Sequence, residues 1–94
     1  ANQEDHVSMA TYAARRLLDM ADNSAAIVGI ELLAATQGVD LRRPLKTSRR
    51  LLEAMALVRR RVRFWRDDRA MAPDIAAAKA IVQSGALREL VGAA

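Results

Sequence analysis

Ala25-Ala26-Ile27-Val28-Gly29-Ile30-Glu31-Leu32-Leu33-Ala34-Ala35 is the stretch that decides the fold. It is apolar on nearly every side of a helical wheel, with Glu31 as its single charge, which is the pattern of a helix buried all round. The same period persists outward: from about Val7 to Gln37 there is no proline and one glycine, Gly29, while Ala10, Ala14, Leu17, Ala21, Val28, Leu32 and Ala35 keep the helical phase. The spacing predicts one helix over about 7–37. Some thirty residues in a helix span about 45 Å, whereas a compact chain of 94 residues has a radius of gyration near ~13 Å and a diameter a little above ~30 Å. The helix outgrows any globule this chain could build. Ala10, Ala13, Ala14, Ala21, Ala25, Ala26, Gly29, Ala34 and Ala35 allow neighbouring helices to approach closely. The expectation is an oligomer or a piece of a larger helical bundle, with broad apolar patches exposed on the chain by itself.

Beyond this helix the chain reads as shorter helices separated by turn residues. Gly38 is expected to stop the first helix, Pro44 to block its resumption, and Thr47 and Ser48 to cap the next, so 38–48 is a connector. A second helix is expected over about 49–63, with Leu51, Leu52, Met55, Val58 and Val62 as its apolar stripe and arginines around the rest. Trp65 to Ala72 reads as a turn. Pro73 suits the first position of a third helix over 73–84, with Asp74 complementing the dipole in its first turn and Ser84-Gly85 closing it. A short helix over 86–91 follows, with Leu87, Leu90 and Val91 on one side. No segment alternates like a strand and no repeat period is present. The fold class is all-α: one long helix followed by two or three shorter ones, a piece of a larger helical bundle.

Composition narrows the function classes. With 52% hydrophobic and 28% charged residues, the chain suits one small folded unit, too apolar to be disordered by composition. There is no secretory signal pattern, and Ala1 reads as a cut end. No run approaches the roughly 18 uninterrupted apolar residues of a membrane span, so a soluble protein is expected, and with no cysteine to call for an oxidising compartment the cytoplasm is the default expectation. The absence of cysteine excludes disulfides and thiolate metal sites. A net charge of +4 speaks to solubility and names no ligand.

The chemistry-bearing residues crowd into Ala1-Asn2-Gln3-Glu4-Asp5-His6-Val7-Ser8-Met9-Ala10, a polar run leading straight into the long helix. Two readings stand for its acids. Glu4 and Asp5 at the helix entrance would complement the dipole by roughly 0.3 to 1 kcal/mol and need no active site. Alternatively, Gln3 and Glu4 face a pocket, where an amide orients a substrate and an ionised carboxylate accepts a proton from an imidazole or ammonium group. A metal site is disfavoured, because successive helical side chains at Glu4, Asp5 and His6 diverge by about 100°, and no second His, HExxH or EF-hand spacing exists. No metal is expected. His6 is the lone histidine, and nothing in the sequence couples it to Ser8, Thr11 or Ser24 as a nucleophile relay; a hydrogen-bonded His near the helix start suffices.

The run Asn2-Gln3-Glu4-Asp5-His6-Val7-Ser8-Met9 resembles the segment that opens the C-terminal region of the histidine ammonia-lyases, members of the aromatic amino acid ammonia-lyase family. The similarity continues through Ala14-Arg15-Arg16, Met20-Ala21-Asp22-Asn23, Ile30-Glu31-Leu32-Leu33-Ala34-Ala35 and Gln37-Gly38-Val39-Asp40-Leu41-Arg42. It extends into Leu45-Lys46-Thr47-Ser48, Asp67-Asp68-Arg69 and Ala72-Pro73-Asp74-Ile75. Essentially the whole chain is covered, in the expected order.

That resemblance implies a parent enzyme that eliminates ammonia from L-histidine to give urocanate, a homotetramer of long near-parallel helices with active sites shared between subunits. It implies that the partners of this chain are the remainder of the polypeptide and its sister subunits, with no role for nucleic acid or membrane. It also implies a methylidene-imidazolone electrophile, formed from an internal Ala-Ser-Gly, and it is this ring that captures the substrate. No Ala-Ser-Gly occurs here; Ser84-Gly85 follows Gln83. The chain alone is therefore expected to be inactive. By the same resemblance the catalytic glutamate of the Gln-Glu-Asp motif is Glu4, beside the substrate imidazole. Gln3 becomes a supporting substrate-side residue, and Asn2, Asp5 and His6 become structural supports. Phenylalanine-directed relatives typically carry Gln where Glu4 stands. The resemblance gives Tyr12 no catalytic role, and its helical phase makes it a packing residue.

Two readings from other classes remain. Composition by itself favours a structural helical oligomerisation segment without chemistry. Arg59-Arg60-Arg61-Val62-Arg63-Phe64-Trp65-Arg66 could neutralise phosphates and stack on bases as a nucleic-acid-binding module, although Asp67, Asp68 and Asp74 follow closely.

Overall fold

The computed structural model describes residues 9–92, and among them every regular element is a helix. In chain order these are α1 (Ala10–Asp40), α2 (Arg49–Arg59), α3 (Ala72–Ser84) and α4 (Ala86–Val91). The short axis of the molecule is 18 Å, room for two helix layers of ~10 Å each. Its radius of gyration is 18.8 Å, well above the ~13 Å of a compact chain of this length. The long helix projects, as its length demands.

α3 lies antiparallel along the carboxyl half of α1. Lys79 and Gln83 reach Asp22, the α3 backbone at Ala78 and Lys79 meets Gly29, and Met71 and Ile75 border the groove beside Gln37. The close approach depends on Gly29: a Cβ there would stand 2.9 Å from the Lys79 amide nitrogen and 3.2 Å from the Ala78 carbonyl carbon. Ala78, fully buried on the facing helix, is equally small. Leu33, Val58, Val62 and Ala78 form the core, with Leu32, Met71, Ile75 and Ala77 packed against it. Burying a Leu or Val side chain stabilises by roughly 1.5–3 kcal/mol, so these few residues hold α2 and α3 against α1. α4 packs on α2, where the Arg50 guanidinium donates to the Val91 carbonyl at 3.0 Å.

Local chemistry explains the boundaries, and two differ from the sequence expectation. α1 does not stop at Gly38, whose φ is not positive; it runs to Asp40. The i→i−4 ladder ends with Leu41 N to Gln37 O and the chain tightens through Arg42 N to Val39 O and Arg43 N to Asp40 O, after which Pro44 has no N–H with which to resume the helix. α2 ends at Arg59 instead of Arg63. The Arg59 guanidinium donates to the Val62 carbonyl at 3.1 Å, and the tightened turn tucks Val62 into the core beside Val58. Ser48 caps α2 by accepting from the Leu51 amide at 3.3 Å. α3 begins at Ala72, with Pro73 and Asp74 in its first turn, and Gly85 ends it at φ 80°. That left-handed conformation is the one glycine adopts without penalty.

The helix expected to be buried all round is buried on one stripe. Gly29, Leu33, Thr36 and Asp40 are covered, while Ile27, Val28 and Ile30 on its other faces are exposed. Thr36 satisfies its buried hydroxyl by donating to the Leu32 carbonyl at 2.7 Å.

Candidate functional site

The site residues singled out from the sequence, Gln3 and Glu4 with Asn2, Asp5 and His6, lie outside the described residues. What the structure describes is the helix they lead into. Met9 is its N-cap, without a side-chain hydrogen bond, and the first described turn carries no acidic residue. From Ala10 to Ser24 every α1 residue is exposed. Tyr12 (56%), Leu17 (61%), Leu18 (74%) and Met20 (51%) present apolar surface there. The reason is length: α3 has 13 residues and reaches back only to Asp22. Tyr12 stands among this apolar surface, with no acid or base placed against it by any described contact.

At the other end of α1 the structure assembles a polar junction that sequence reasoning missed. Asp40 is buried at 6% exposure in a last turn without basic residues, where the helix dipole disfavours an anion. Its compensation comes from elsewhere. Arg43 NH2 donates to Asp40 Oδ1 at 2.9 Å, and Arg59 Nε donates to Oδ2 at 2.8 Å. Arg59 also donates to Gln37 Oε1 at 3.2 Å and lies over the Phe64 ring at 5.7 Å. Gln37 in turn grips Trp65 by its backbone: Nε2 donates to the Trp65 carbonyl at 2.9 Å and Oε1 accepts from the Trp65 amide at 3.1 Å. An acid at a helix carboxyl end, followed by an arginine three residues on, was the available signal. The second arginine, nineteen positions away, could not be read from spacing.

Beside this junction lies an apolar groove of about 400 Å³ walled by Ile30, Leu33, Leu41, Trp65, Met71 and Ile75. Of the polar side chains that line it, all but Arg63 are already engaged. Arg59 is spent on Asp40 and Gln37, and Arg69 donates to Asp74 at 2.9 Å and to the Arg63 and Phe64 carbonyls at 2.7 and 3.2 Å. The groove offers packing surface and no reacting group.

The arginine run divides in the same way. Arg59 is architectural and half-covers Phe64, removing that ring as an open stacking platform, while Arg60, Arg61, Arg63 and Arg66 are exposed. Ser84-Gly85 is a helix stop: Ser84 Oγ donates to the Ile81 carbonyl at 2.7 Å and accepts from the Ala86 amide at 3.2 Å. Among the described residues no three His, Cys, Asp or Glu side chains cluster as metal ligands, and no helix is long and apolar enough to cross a membrane.

Comparison with known proteins supplies what these residues lack. A family model described as aromatic amino acid lyase matches residues 1–60. The chain is 65% identical over 91 residues to a histidine ammonia-lyase of Desulfotalea psychrophila, covering 97% of this chain and 18% of that protein. It is 59% identical over 86 residues to the histidine ammonia-lyase of Aromatoleum aromaticum, 92% of this chain and 16% of the relative. With that of Rhodospirillum rubrum it shares 56% identity over 91 residues, again 97% and 18%. The chain thus spans less than a fifth of the length of these relatives.

Proposed function

The chain belongs to the aromatic amino acid lyase family, and from that premise we propose that it works as the C-terminal helical segment of a histidine ammonia-lyase, contributing one wall of the active site. The parent enzyme removes ammonia from L-histidine without oxidation, leaving urocanate. The observation that carries this reading is the 56–65% identity to proteins of that name along nearly all of the chain. The bare amino half of α1 supports it, because a helix with apolar residues exposed on all sides suits a place inside a larger bundle.

In this reading Glu4 is the catalytic residue. Its carboxylate, ionised at neutral pH, accepts a hydrogen bond from the substrate imidazole N–H and can take or return a proton there. Gln3 orients the substrate beside it. The methylidene-imidazolone electrophile, which captures the substrate so that ammonia and a β-proton can leave, would come from the parent polypeptide. The Ser84-Gly85 pair of this chain does not fit it, since it is preceded by Gln83 and committed to ending α3. Sister subunits of a homotetramer would cover the exposed face of α1.

The test is urocanate formation by the full-length enzyme carrying this chain, with Glu4→Gln beside the wild type. The expected result is turnover by the wild type and a fall in kcat of roughly a hundredfold or more in the variant, with assembly unchanged. A wild type that releases no urocanate would sink the lyase reading. A variant as fast as the wild type would sink only the role of Glu4.

A further inference from the structure

Between α2 and α3 four guanidinium groups, those of Arg60, Arg61, Arg63 and Arg66, are left unused by the fold among the described residues, and the first three share one hollow. Arg59 and Arg69 are engaged by Asp40, Gln37 and Asp74 and by backbone carbonyls. Among the described residues, no acidic group or carbonyl lies within bonding distance of the Arg60, Arg61 or Arg63 side chains. All three are exposed and border one concavity of about 440 Å³, whose other walls are Ala70, Pro73 and the already engaged Arg59, Arg69 and Asp74. Asp67 and Asp68 lie outside it, beside Arg63 and Arg66 in an adjoining hollow. They too make no ion pair. Like charges this close repel one another, so three neighbouring cations leave uncompensated field at a concave surface, where an anion is attracted most strongly.

We propose that this concavity is a binding site for a compact multivalent oxyanion of the pyrophosphate class, held by Arg60, Arg61 and Arg63. Arginine is the suitable residue, because its planar fork offers paired N–H donors that match two oxygens of one phosphoryl group. Compactness follows from the surroundings. Asp67 and Asp68 close off the run on one side, and their charges oppose a long polyanion tracking along the chain. The already paired Arg69 and Asp74 close the other side. The site uses no feature of the lyase reading, and neither depends on the other.

The test is calorimetric titration of inorganic pyrophosphate into the full-length protein that carries this chain, at low and at high salt. The comparison is the triple variant Arg60→Gln, Arg61→Gln, Arg63→Gln. The proposal expects saturable binding that weakens steeply with salt and is at least tenfold weaker in the variant, while melting temperature and helical content are unchanged because the three side chains carry no fold contact. A second arm titrates a single-stranded oligonucleotide, which should bind more weakly than pyrophosphate at equal phosphate concentration. Absence of saturable pyrophosphate binding, equal binding by a folded triple variant, or tighter binding of the oligonucleotide would each overturn it. Should the triple variant not fold, Arg60→Gln and Arg63→Gln singly must each weaken pyrophosphate binding for the site to stand.

Discussion

The two halves of α1 are built from similar residues and meet opposite fates. From Ala10 to Ser24 every residue is exposed and, among the described residues, α3 reaches this half only through Lys79 and Gln83 at Asp22, although Leu17, Leu18 and Met20 are as apolar as anything further along. From Ala25 to Asp40 one stripe, Gly29, Leu33, Thr36 and Asp40, is buried against α2 and α3. Composition does not separate the halves; partners do. Five apolar residues make the buried core, against fourteen large apolar residues left exposed among those described. A helix whose apolar residues are mostly uncovered is shaped for contacts that the described residues do not themselves supply.

That contrast can be broken at the packed end first. Asp40→Ala would leave Arg59, whose side chain is only 21% exposed, without its carboxylate. Removing one partner of a buried pair is costly, and a loss of about 3 kcal/mol in urea unfolding is expected. Arg43→Ala touches the same carboxylate from a side chain 77% exposed and should cost under about 1 kcal/mol. Equal losses in the two variants would show that burial is not what gives Asp40 its weight.

Gly29→Ala comes next. The added methyl meets backbone atoms of α3, which cannot rotate aside, so the helices must separate. A net loss of about 1–2 kcal/mol is expected, overpacking outweighing the helix propensity gained. A variant as stable as the wild type would mean the two helices yield freely at their crossing. In the bare half, Leu18→Asp should change the stability of the chain by no more than about 0.5 kcal/mol. In the full-length enzyme the same substitution should prevent assembly, as followed by size-exclusion chromatography. Intact oligomers there would remove the reason given for the uncovered face.

The smallest effect belongs to the boundary between the halves. The hydrogen bond donated by Lys79, aided by its charge and by Gln83, holds the Asp22 carboxyl below its ordinary 3.8 despite some desolvation. A folded pKa below the unfolded one adds stability that is present above about pH 3.8 and disappears as pH falls through the lowered folded value. Lys79→Met should restore an ordinary Asp22 titration by NMR and flatten that acid limb. An unchanged titration would place the shift elsewhere.

Helix period, Ser48, Pro73 and Gly85 made the helical content and most boundaries legible from sequence, because each acts on backbone within a few residues of itself. Gly38 misled, since a glycine closes a helix in this way where φ turns positive, and here the chain instead tightened at Arg42 and Arg43, just ahead of Pro44. The stripe around Leu33 was legible as apolar, but which face α3 would cover was set by Gly29 and Ala78 meeting across 49 positions of chain. The Asp40–Arg59–Gln37 junction was illegible for the same reason. Glu4 and Gln3 were found by motif, and their positions lie outside the described residues.

Gly29 has one more consequence, mechanical in kind. It is a close crossing of α1 and α3, nineteen residues from Ala10, so the helix on its amino side is a lever of about 28 Å, steadied among the described residues by Lys79 and Gln83 at Asp22. A tilt of about 5° at that crossing sweeps the amino end through about 2.5 Å, more than the tolerance of a hydrogen bond. How tightly two small residues meet in the middle of the molecule therefore sets how accurately the far end of the helix can be aimed.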